Sequence, residues 1–330
     1  MSNLESAVGL TLVTLADERY ALPLAVLGRS LTDNLRPGLH ANLYIADGGI
    51  TPETKEHLIA SWDAERLSVR FVPPDFGTES ALPVWGRLPA LTYARVFLQS
   101  LLPQECSKAI LLDSDVVVLT DVGRLWDLEI GDQCLLAVQD PAIPFVASRD
   151  GLRCYRELGI PAEHQYFNTG VMAIDLNKWK SARVSERVME FVCQHMADLN
   201  NCEQDGLNAV LFDKWGSLDP RWQVQPRLLD RRSSLQRHLD AETRDQLRAD
   251  PWLLHFSGRL KPWLYRGSGQ ADRIFFRYVD RTWWRGWRPR LSLQSLLYGL
   301  YDSGLRDWLY PIEQRGHSLL RNLSRRSTRV

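Results

Sequence analysis

The first 113 residues alternate short apolar runs with helical patterns, and this alternation limits the possible folds more than any other feature of the sequence. Strands are predicted at 10–15, 42–46, 67–72 and 108–113. Helices are predicted between them, because leucines recur at helical spacing from Leu22 to Leu35 and Thr51 can cap a helix that begins at Pro52. Strands that alternate with helices build βαβ units. The sequence therefore predicts an α/β fold with a parallel sheet covered on both faces.

The later part of the chain has a more mixed pattern. A helix is predicted at 88–102, strands at 134–139, 171–175 and 253–256, and helices at 181–199 and 204–212. The glycine-containing segment 266–270 ends the sheet signals, and helices are predicted beyond it at 272–285, 292–301 and 305–320. We therefore expect a catalytic domain over 1–265 and a helical C-terminal tail over 266–330.

The composition excludes several classes of protein. Hydrophobic residues make up 45% of the chain and charged residues 24%, which is ordinary for a globular protein and excludes a disordered chain. No apolar run is long enough for a transmembrane helix, and the first residues lack the pattern of a secretory signal. The five cysteines form no CxxC pair, which indicates free thiols in a reducing compartment. A cytoplasmic protein is expected.

Two aspartates follow the most apolar of the predicted strands. Asp113 and Asp115 are separated by Ser114, and residues two apart in extended backbone project to the same side. Open α/β sheets bind ligands at the carboxyl ends of their strands, and two neighbouring carboxylates there can converge on one hard divalent cation. The alternative is an exposed strand end or a helix cap, because a DxD sequence is common by chance.

A second candidate site follows the predicted strand near residue 255. His255 is followed closely by Gly258 and Lys261, and these residue types can bring a backbone N–H and a point charge to a phosphate group. The alternative for His255 is a core residue on an apolar strand. Elsewhere, Asp17 can simply cap a helix, Arg95 can lie on a surface, and Asn168 can belong to a turn.

Taken together and in order, these segments resemble glycosyltransferase family 8, and the resemblance extends from about residue 9 to 265. The segments are Asp17, Tyr93 and Arg95, Asp113-Ser114-Asp115, Phe167-Asn168-Thr169-Gly170, Gln204-Asp205-Gly206-Leu207-Asn208, His255-Phe256-Ser257-Gly258 and Lys261-Pro262-Trp263. The family has the GT-A fold, a Rossmann-like, mixed and mostly parallel sheet flanked by helices. It includes lipopolysaccharide galactosyl- and glucosyltransferases, galactinol synthases and glycogenin.

The resemblance implies roles for particular residues. Asp113, Asp115 and His255 match the ligands of Mn²⁺ (or Mg²⁺), with Ser114 between the two aspartates in the donor site. Gly258 and Lys261 match diphosphate contacts, and Asp17 and Tyr20 match positions at the uracil end of the nucleotide. Arg95, Asn168, Asp140 and Gln204 match positions around the transferred sugar or the acceptor, with Gln204 on the β face of the sugar. The sequence departs from the family at Arg19, where some members have a smaller polar residue, and at Glu203, where aspartate is commoner.

The implied activity is metal-dependent transfer of a hexose from UDP-glucose or UDP-galactose, with retention of configuration, to a glycan or lipid-linked acceptor. Two alternatives stay open, a self-glucosylating protein of the glycogenin type and a non-catalytic protein that binds nucleotide sugars. Cleavage of the sugar–phosphate bond places negative charge on the β-phosphate, which a divalent cation stabilises as a Lewis acid. Front-face and double-displacement routes both fit the sequence.

The tail combines basic and aromatic residues. Residues 272–330 contain 12 arginines and five acidic residues, with Trp283, Trp284 and Trp287 among the arginines. Amphipathic segments of this kind bind the headgroup region of anionic membranes, so peripheral attachment to the cytoplasmic face of a membrane is expected. The alternative is a tail that packs on the catalytic domain. No nucleic-acid partner is expected, because lysine is almost absent and no RNA-binding motif is present.

Overall fold

The computed structural model describes residues 9–76, 90–231, 233–258, 261–265, 267 and 269–290. Its main feature is a seven-stranded sheet with the strand order β3-β2-β1-β4-β7-β6-β8. These strands are β1 (Leu10–Ala16), β2 (Ala41–Asp47), β3 (Leu67–Val72), β4 (Lys108–Leu112), β6 (Leu135–Gln139), β7 (Phe167–Asp175) and β8 (Trp215–Ser217). The four strands predicted in the first 113 residues are confirmed.

The sheet is mixed and mostly parallel, as the family resemblance implies. Strands β1 to β4 are parallel to one another, β7 is antiparallel to both β4 and β6, and β8 is parallel to β6. The carboxyl ends of β1, β4, β6 and β8 and the amino end of β7 therefore share one edge of the sheet. Strand β4 is buried from Ala109 to Leu112, which explains its continuous apolar sequence.

A second sheet has two strands, β5 (Val116–Val118) and β9 (Leu253–His255), which pair antiparallel. Val116 is the register partner of His255, and the N–H of Phe256 donates to the carbonyl oxygen of Asp115 at 3.0 Å. This pairing brings the segment that follows β9 to the residues that follow β4.

Nine α-helices are present in the described part of the chain. They are α1 (Ala21–Asn34), α2 (Pro52–Ala60), α3 (Leu98–Leu101), α4 (Gly123–Trp126), α5 (Leu176–Ser181), α6 (Val184–His195), α7 (Glu203–Val210), α8 (Ala241–Ala249) and α9 (Gln270–Val279). Five 3-10 helices lie between these elements, at Glu18–Tyr20, Ala90–Arg95, Pro220–Gln223, Pro226–Leu229 and Ser234–Gln236. The three hydrophobic clusters lie on the faces of the sheet and under α9.

The helix predicted at 88–102 is wrong in its described part. A 3-10 helix at Ala90–Arg95 and the short helix α3 replace it. Residues 92–96 are all buried, whereas an amphipathic α-helix on a sheet turns one face to solvent. Residues 88 and 89 of this prediction lie outside the described residues.

The beginning of the C-terminal tail packs on the rest of the protein. Phe275 and Val279 of α9 are buried in one cluster with Leu22 and Val26 of α1. The helix predicted at 272–285 therefore ends at Val279, and the two helices predicted beyond residue 291 lie outside the described residues. Within the described ranges, no helix is long and apolar enough to cross a membrane. All five cysteines are free.

Candidate active site

Asp113, Asp115 and His255 form a group at the carboxyl edge of the sheet. Each offers one ligand atom, and the three atoms all lie within 4.8 Å of one another. Nε2 of His255 is 3.5 Å from Oδ2 of Asp113 and 3.2 Å from Oδ1 of Asp115. The two aspartates converge because they flank Ser114 after β4, and His255 joins them through the pairing of β5 with β9.

Two cations neutralise the buried carboxylate of Asp115. Lys261 donates to Asp115 and to the carbonyl oxygen of Phe256, and both Lys261 and Asp115 are buried. Burial opposes ionisation of Asp115, but Lys261 and His255 outweigh it and hold the pKa of this carboxyl well below its ordinary value. Burial lowers the pKa of His255, but Asp115 and Asp113 act against it and bring the pKa to about 9. In the absence of a metal ion Asp115 is therefore ionised and His255 carries a proton, which it would release on binding a cation.

The residues present fit a divalent cation. Two carboxylates and one imidazole give a mixed oxygen and nitrogen donor set, which suits Mn²⁺ or Mg²⁺ better than a metal that prefers thiolates. The neighbouring Gly170 leaves room for this set, because a Cβ atom there would lie 2.3 Å from Cε1 of His255 and 2.9 Å from Oδ2 of Asp113. Nδ1 of His255 is buried with no hydrogen-bond partner among the described residues.

Arg95 connects the aspartates to helix α7. Its guanidinium donates to Oδ1 of Asp113 at 2.9 Å and to Oγ1 of Thr169 at 2.8 Å, and its Nε lies 3.5 Å from Oε1 of Glu203. Arg95 is buried rather than on a surface, as is Glu203. Burial raises the pKa of the Glu203 carboxyl, although Arg95 acts against it. The larger side chain at position 203 is therefore used to pair with Arg95.

Asp140, Asn168 and Gln204 form a second polar group beside the first. Asn168 donates to Oδ2 of Asp140 at 2.8 Å, and Gln204 donates to the same oxygen at 3.3 Å. Oε1 of Gln204 also lies 3.2 Å from the N–H of Thr169. The structure thus brings together three of the four residues that the resemblance places around the transferred sugar or the acceptor, and Asn168 belongs to strand β7 rather than to a turn.

Two residues of α7 hold this arrangement in place, and both belong to a segment that resembles the family, although the resemblance assigns them no role. Asn208 accepts from the N–H of Phe167 and donates to its carbonyl oxygen, both at 2.8 Å. Asp205 is fully buried and accepts from the hydroxyl of Tyr166 at 2.6 Å and from the N–H groups of Asn200 and Asn201. Apart from the family resemblance of this segment, their sequence signal is a spacing of three residues, which places both polar side chains on the same side of a helix.

The residues predicted for the nucleotide end have different surroundings. The rings of Tyr20 and Trp263 are 5.7 Å apart in an edge-to-face arrangement, and Nζ of Lys261 is 5.9 Å from the centre of the Tyr20 ring. Asp17 instead caps the 3-10 helix Glu18–Tyr20 and pairs with Arg19 at 2.6 Å. Tyr20 thus contacts Lys261, which pairs with Asp115, whereas the carboxylate of Asp17 pairs with Arg19.

The remaining residues predicted for the donor site are Ser114, between the two aspartates, and Gly258 and Lys261, which follow β9 in the sequence. Ser114 is buried between the two aspartates. Gly258 is exposed and has a φ of +88°, a backbone conformation that favours glycine and presents the peptide groups to solvent. The predicted diphosphate contacts Gly258 and Lys261 both follow β9 in the sequence and are three residues apart.

Comparison with known proteins gives one consistent result. The family model described as "Glycosyl transferase family 8" matches residues 11–267. "General stress protein A" of Bacillus subtilis (strain 168) is 29% identical over 276 residues, which are 83% of this chain and 94% of that protein. "Probable galacturonosyltransferase-like 3" of Arabidopsis thaliana is 32% identical over 184 residues, which are 53% of this chain and 50% of that protein.

Solved structures agree with the family match. The crystal structure of the galactosyltransferase LgtC, in complex with donor and acceptor sugar analogues, aligns with a TM-score of 0.68 and 25% identity. The alignment covers 83% of this chain and 96% of that one. The seven-stranded sheet with flanking helices matches the GT-A fold of that enzyme, so the predicted fold class is confirmed.

Proposed function

The chain belongs to glycosyl transferase family 8, and from this membership we propose that it transfers glucose or galactose from a UDP-sugar to a hydroxyl group of a glycan or glycolipid. The transfer retains the anomeric configuration, so an α-linked donor gives an α-linked product. The observation that carries the proposal is the convergence of Asp113, Asp115 and His255 at the sheet edge, next to Lys261 and to the Asp140 group.

Asp113, Asp115 and His255 would hold the divalent cation, which supplies Lewis-acid stabilisation of the leaving diphosphate when it is bound. Lys261 is already held at this place by Asp115, so its ammonium group is preorganised beside the negative charge that develops. The backbone at Gly258 is open to solvent and can donate N–H groups to phosphate oxygens. These residues account for the donor end of the site.

The sugar end favours a front-face route. In this route the bond from the anomeric carbon to the β-phosphate oxygen breaks, the acceptor oxygen bonds to the same face, and the acceptor proton passes to the leaving phosphate. The carboxylate of Asp140 is already engaged by Asn168 and Gln204, and Glu203 is buried against Arg95. These contacts make both carboxylates weaker nucleophiles, which disfavours a covalent intermediate on either of them. The neutral amide oxygen of Gln204 would stabilise the positive charge on the sugar.

We also propose that the C-terminal segment attaches the enzyme peripherally to the cytoplasmic face of an anionic membrane, where a lipid-linked acceptor is found. Trp283 is 59% exposed and stacks on His57 with ring centres 4.4 Å apart. Ile59 on the same helix as His57 is 52% exposed, and Arg281 and Arg285 are exposed beside Trp283. This surface, which combines apolar and basic side chains, is suited to an anionic bilayer.

One experiment separates the proposed reaction from its alternatives. The protein is incubated with Mn²⁺ and a panel of UDP-[¹⁴C]sugars, first with water alone and then with candidate acceptors. Slow release of UDP into water and transfer of label to an acceptor support the proposal, and mass spectrometry of the product identifies the sugar. Label on the protein itself indicates self-glucosylation, and binding of UDP without turnover indicates a non-catalytic binding protein.

A further inference from the structure

A cleft of about 470 Å³ lies at the outer strand of the described sheet, and none of the residues discussed above lines it. Its volume is within the range of small-molecule sites, roughly 300–1,000 Å³. The lining residues are Pro161, Glu163, His164, Gln165, Phe212, Asp213, Trp215 and Ser217. The cleft is separate from the aspartate group and has a different chemistry.

The walls of this cleft are held rigidly. Nε2 of His164 is 2.5 Å from the carbonyl oxygen of Phe212, and the two rings meet edge to face at 5.6 Å. Trp215 packs on the buried Phe167 with ring centres 5.1 Å apart. The three aromatic side chains of the cleft, His164, Phe212 and Trp215, are therefore half-buried and packed on their neighbours, and they form an aromatic platform.

The polar groups of the cleft define the kind of ligand. Glu163, Gln165, Asp213 and Ser217 are exposed around the aromatic platform. Carboxylates, an amide and a hydroxyl match the hydroxyl groups of a sugar, and an aromatic face matches its C–H groups. Nζ of Lys214 lies 3.8 Å from Oδ2 of Asp213 and partly compensates that carboxylate, whereas no described residue places a cation beside Glu163. No lysine or arginine is among the lining residues, so a phosphate, a nucleotide or an acidic sugar is disfavoured.

The cleft lies near the sugar end of the active site. The N–H of Asp140 donates to the carbonyl oxygen of Tyr166 at 2.8 Å, and the preceding residue, Gln165, lines the cleft. On the other side, Ser217 is the register partner of Ala137, three residues before Asp140. At about 3.3 Å per residue, the cleft begins about 10 Å from Asp140 along the sheet edge.

We infer that this cleft binds a neutral hexose oligosaccharide, the part of the acceptor that lies beyond the sugar unit at which transfer occurs. This inference rests on the proposed function and makes it more specific, because it assigns the acceptor to neutral chains of several hexose units. The oligosaccharide would extend from the polar group of Asp140, Asn168 and Gln204 to the aromatic side chains that include Trp215. A monosaccharide acceptor cannot use the cleft.

The test begins with the full-length protein on an array of neutral and acidic hexose oligosaccharides of two to six units. We expect binding of at least one neutral oligosaccharide, and calorimetry on that glycan should show an affinity that rises with chain length. Asp213→Ala, which changes an exposed side chain, and Trp215→Phe, which keeps an aromatic ring, should each weaken binding, Asp213→Ala by about tenfold. Glu157→Ala, an exposed glutamate outside the cleft, serves as the matched control.

Three outcomes overturn the cleft proposal: no binding of any neutral oligosaccharide, an affinity that does not depend on chain length, or binding that is equal in the cleft variants and the Glu157→Ala control. UDP release by the unmodified protein with Mn²⁺ tests the proposed function separately. UDP release without glycan binding removes the cleft proposal alone. Glycan binding that the cleft variants weaken, without any UDP release, contradicts the transferase proposal and the acceptor role that depends on it.

Discussion

Gly170 lies so close to His255 that a Cβ atom on the glycine would be 2.3 Å from Cε1 and 2.8 Å from Nδ1 of the imidazole. The backbone of Gly170 is engaged at the same time. Its carbonyl oxygen accepts from the N–H of Asp113 at 2.8 Å, and its N–H donates to Oδ1 of Asn168 at 2.9 Å. The backbone of Gly170 therefore positions the predicted metal ligand Asp113 and the predicted sugar contact Asn168. The absence of a side chain at Gly170 makes room for the second predicted metal ligand, His255.

The first prediction follows from this contact. Gly170→Ala forces His255 or Asp113 to move, so we expect the affinity for Mn²⁺ to fall by about 10–100-fold, the range seen when the groups that orient metal ligands are lost. Gly216→Ala is the matched control, because its Cβ would meet only flexible side chains, a methyl group of Leu136 at 2.6 Å and Cγ of Gln133 at 3.5 Å. Electron paramagnetic resonance of free Mn²⁺ during titration measures both. Unchanged Mn²⁺ affinity in folded Gly170→Ala would contradict the site.

The sequence was sufficient to predict the parallel half of the sheet. Strands β1 to β4 were found because each is a short apolar run between helix signals, which are local properties of the chain. The DxD pair could be placed for the same reason, since it directly follows β4. Arg95 was less well predicted, because its surroundings depend on the burial of residues 92–96 and on a 3-10 helix that helical spacing does not indicate.

The rest of the site depends on contacts between distant segments. His255 reaches Asp115 because β9 pairs with β5, and the sequence of Leu253–His255 contains no information about that partner. The sequence also contains no information about the partner of Asn208. Its side chain bonds to the N–H and the carbonyl oxygen of Phe167 in β7. The family resemblance placed His255 correctly in the group, whereas composition and spacing alone left it as a possible core histidine.

Asp115 allows a prediction about activity and stability together. Asp115→Ala should lower turnover at least ~10²-fold, the scale of losing one major electrostatic contribution. Asp115 is also buried between Lys261 and His255. Removing one partner of a buried ion pair costs about 3–5 kcal/mol, so the metal-free variant should unfold at lower urea concentration. Asp132→Ala, an exposed acid, is the control, and full activity of Asp115→Ala in excess EDTA would refute the assignment.

Gln204 should affect turnover more than donor binding. Its amide bonds to Thr169 and Asp140 next to the predicted sugar position. Neither bond involves the predicted metal ligands Asp113, Asp115 and His255. An interaction made mainly in the transition state lowers kcat when it is removed, so Gln204→Ala should lower kcat while the affinity for UDP changes little. Steady-state kinetics and calorimetry with UDP and Mn²⁺ measure the two quantities. Weaker UDP binding with an unchanged kcat at saturation would identify Gln204 as a donor contact instead.

Asn208 provides a test of stability without a change in chemistry. Asn208→Ala leaves the N–H and the carbonyl oxygen of the buried Phe167 without their side-chain partner. An unsatisfied buried polar group costs about 1–3 kcal/mol, so the loss of a partner for two such groups should lower the free energy of unfolding by roughly 2–6 kcal/mol. Tyr166→Phe is the comparison, because it removes one hydroxyl from Asp205 and leaves two N–H donors on that carboxylate. Urea denaturation should rank Asn208→Ala as the less stable, and an equal loss would contradict the bridging role.

The last prediction concerns membrane attachment, and the structure determines where the chain can be shortened. A truncation at Gln270 would remove α9, whose Phe275 and Val279 are buried against α1, so loss of binding would then reflect loss of fold. A chain that ends after Arg290 keeps α9 and Trp283 and loses residues 291–330, which contain six arginines and three acidic residues. Each basic residue near an anionic surface contributes about 1 kcal/mol.

We therefore expect the full-length protein to float with phosphatidylglycerol vesicles at low salt and to be released at high salt, because screening weakens the attraction. The chain ending after Arg290 should bind less, and Trp283→Ala in the full-length protein should also weaken binding, because that ring is 59% exposed. Vesicles of phosphatidylcholine alone provide the uncharged control. If the full-length protein stays in the soluble fraction with phosphatidylglycerol at low salt, its tail has no role in membrane attachment.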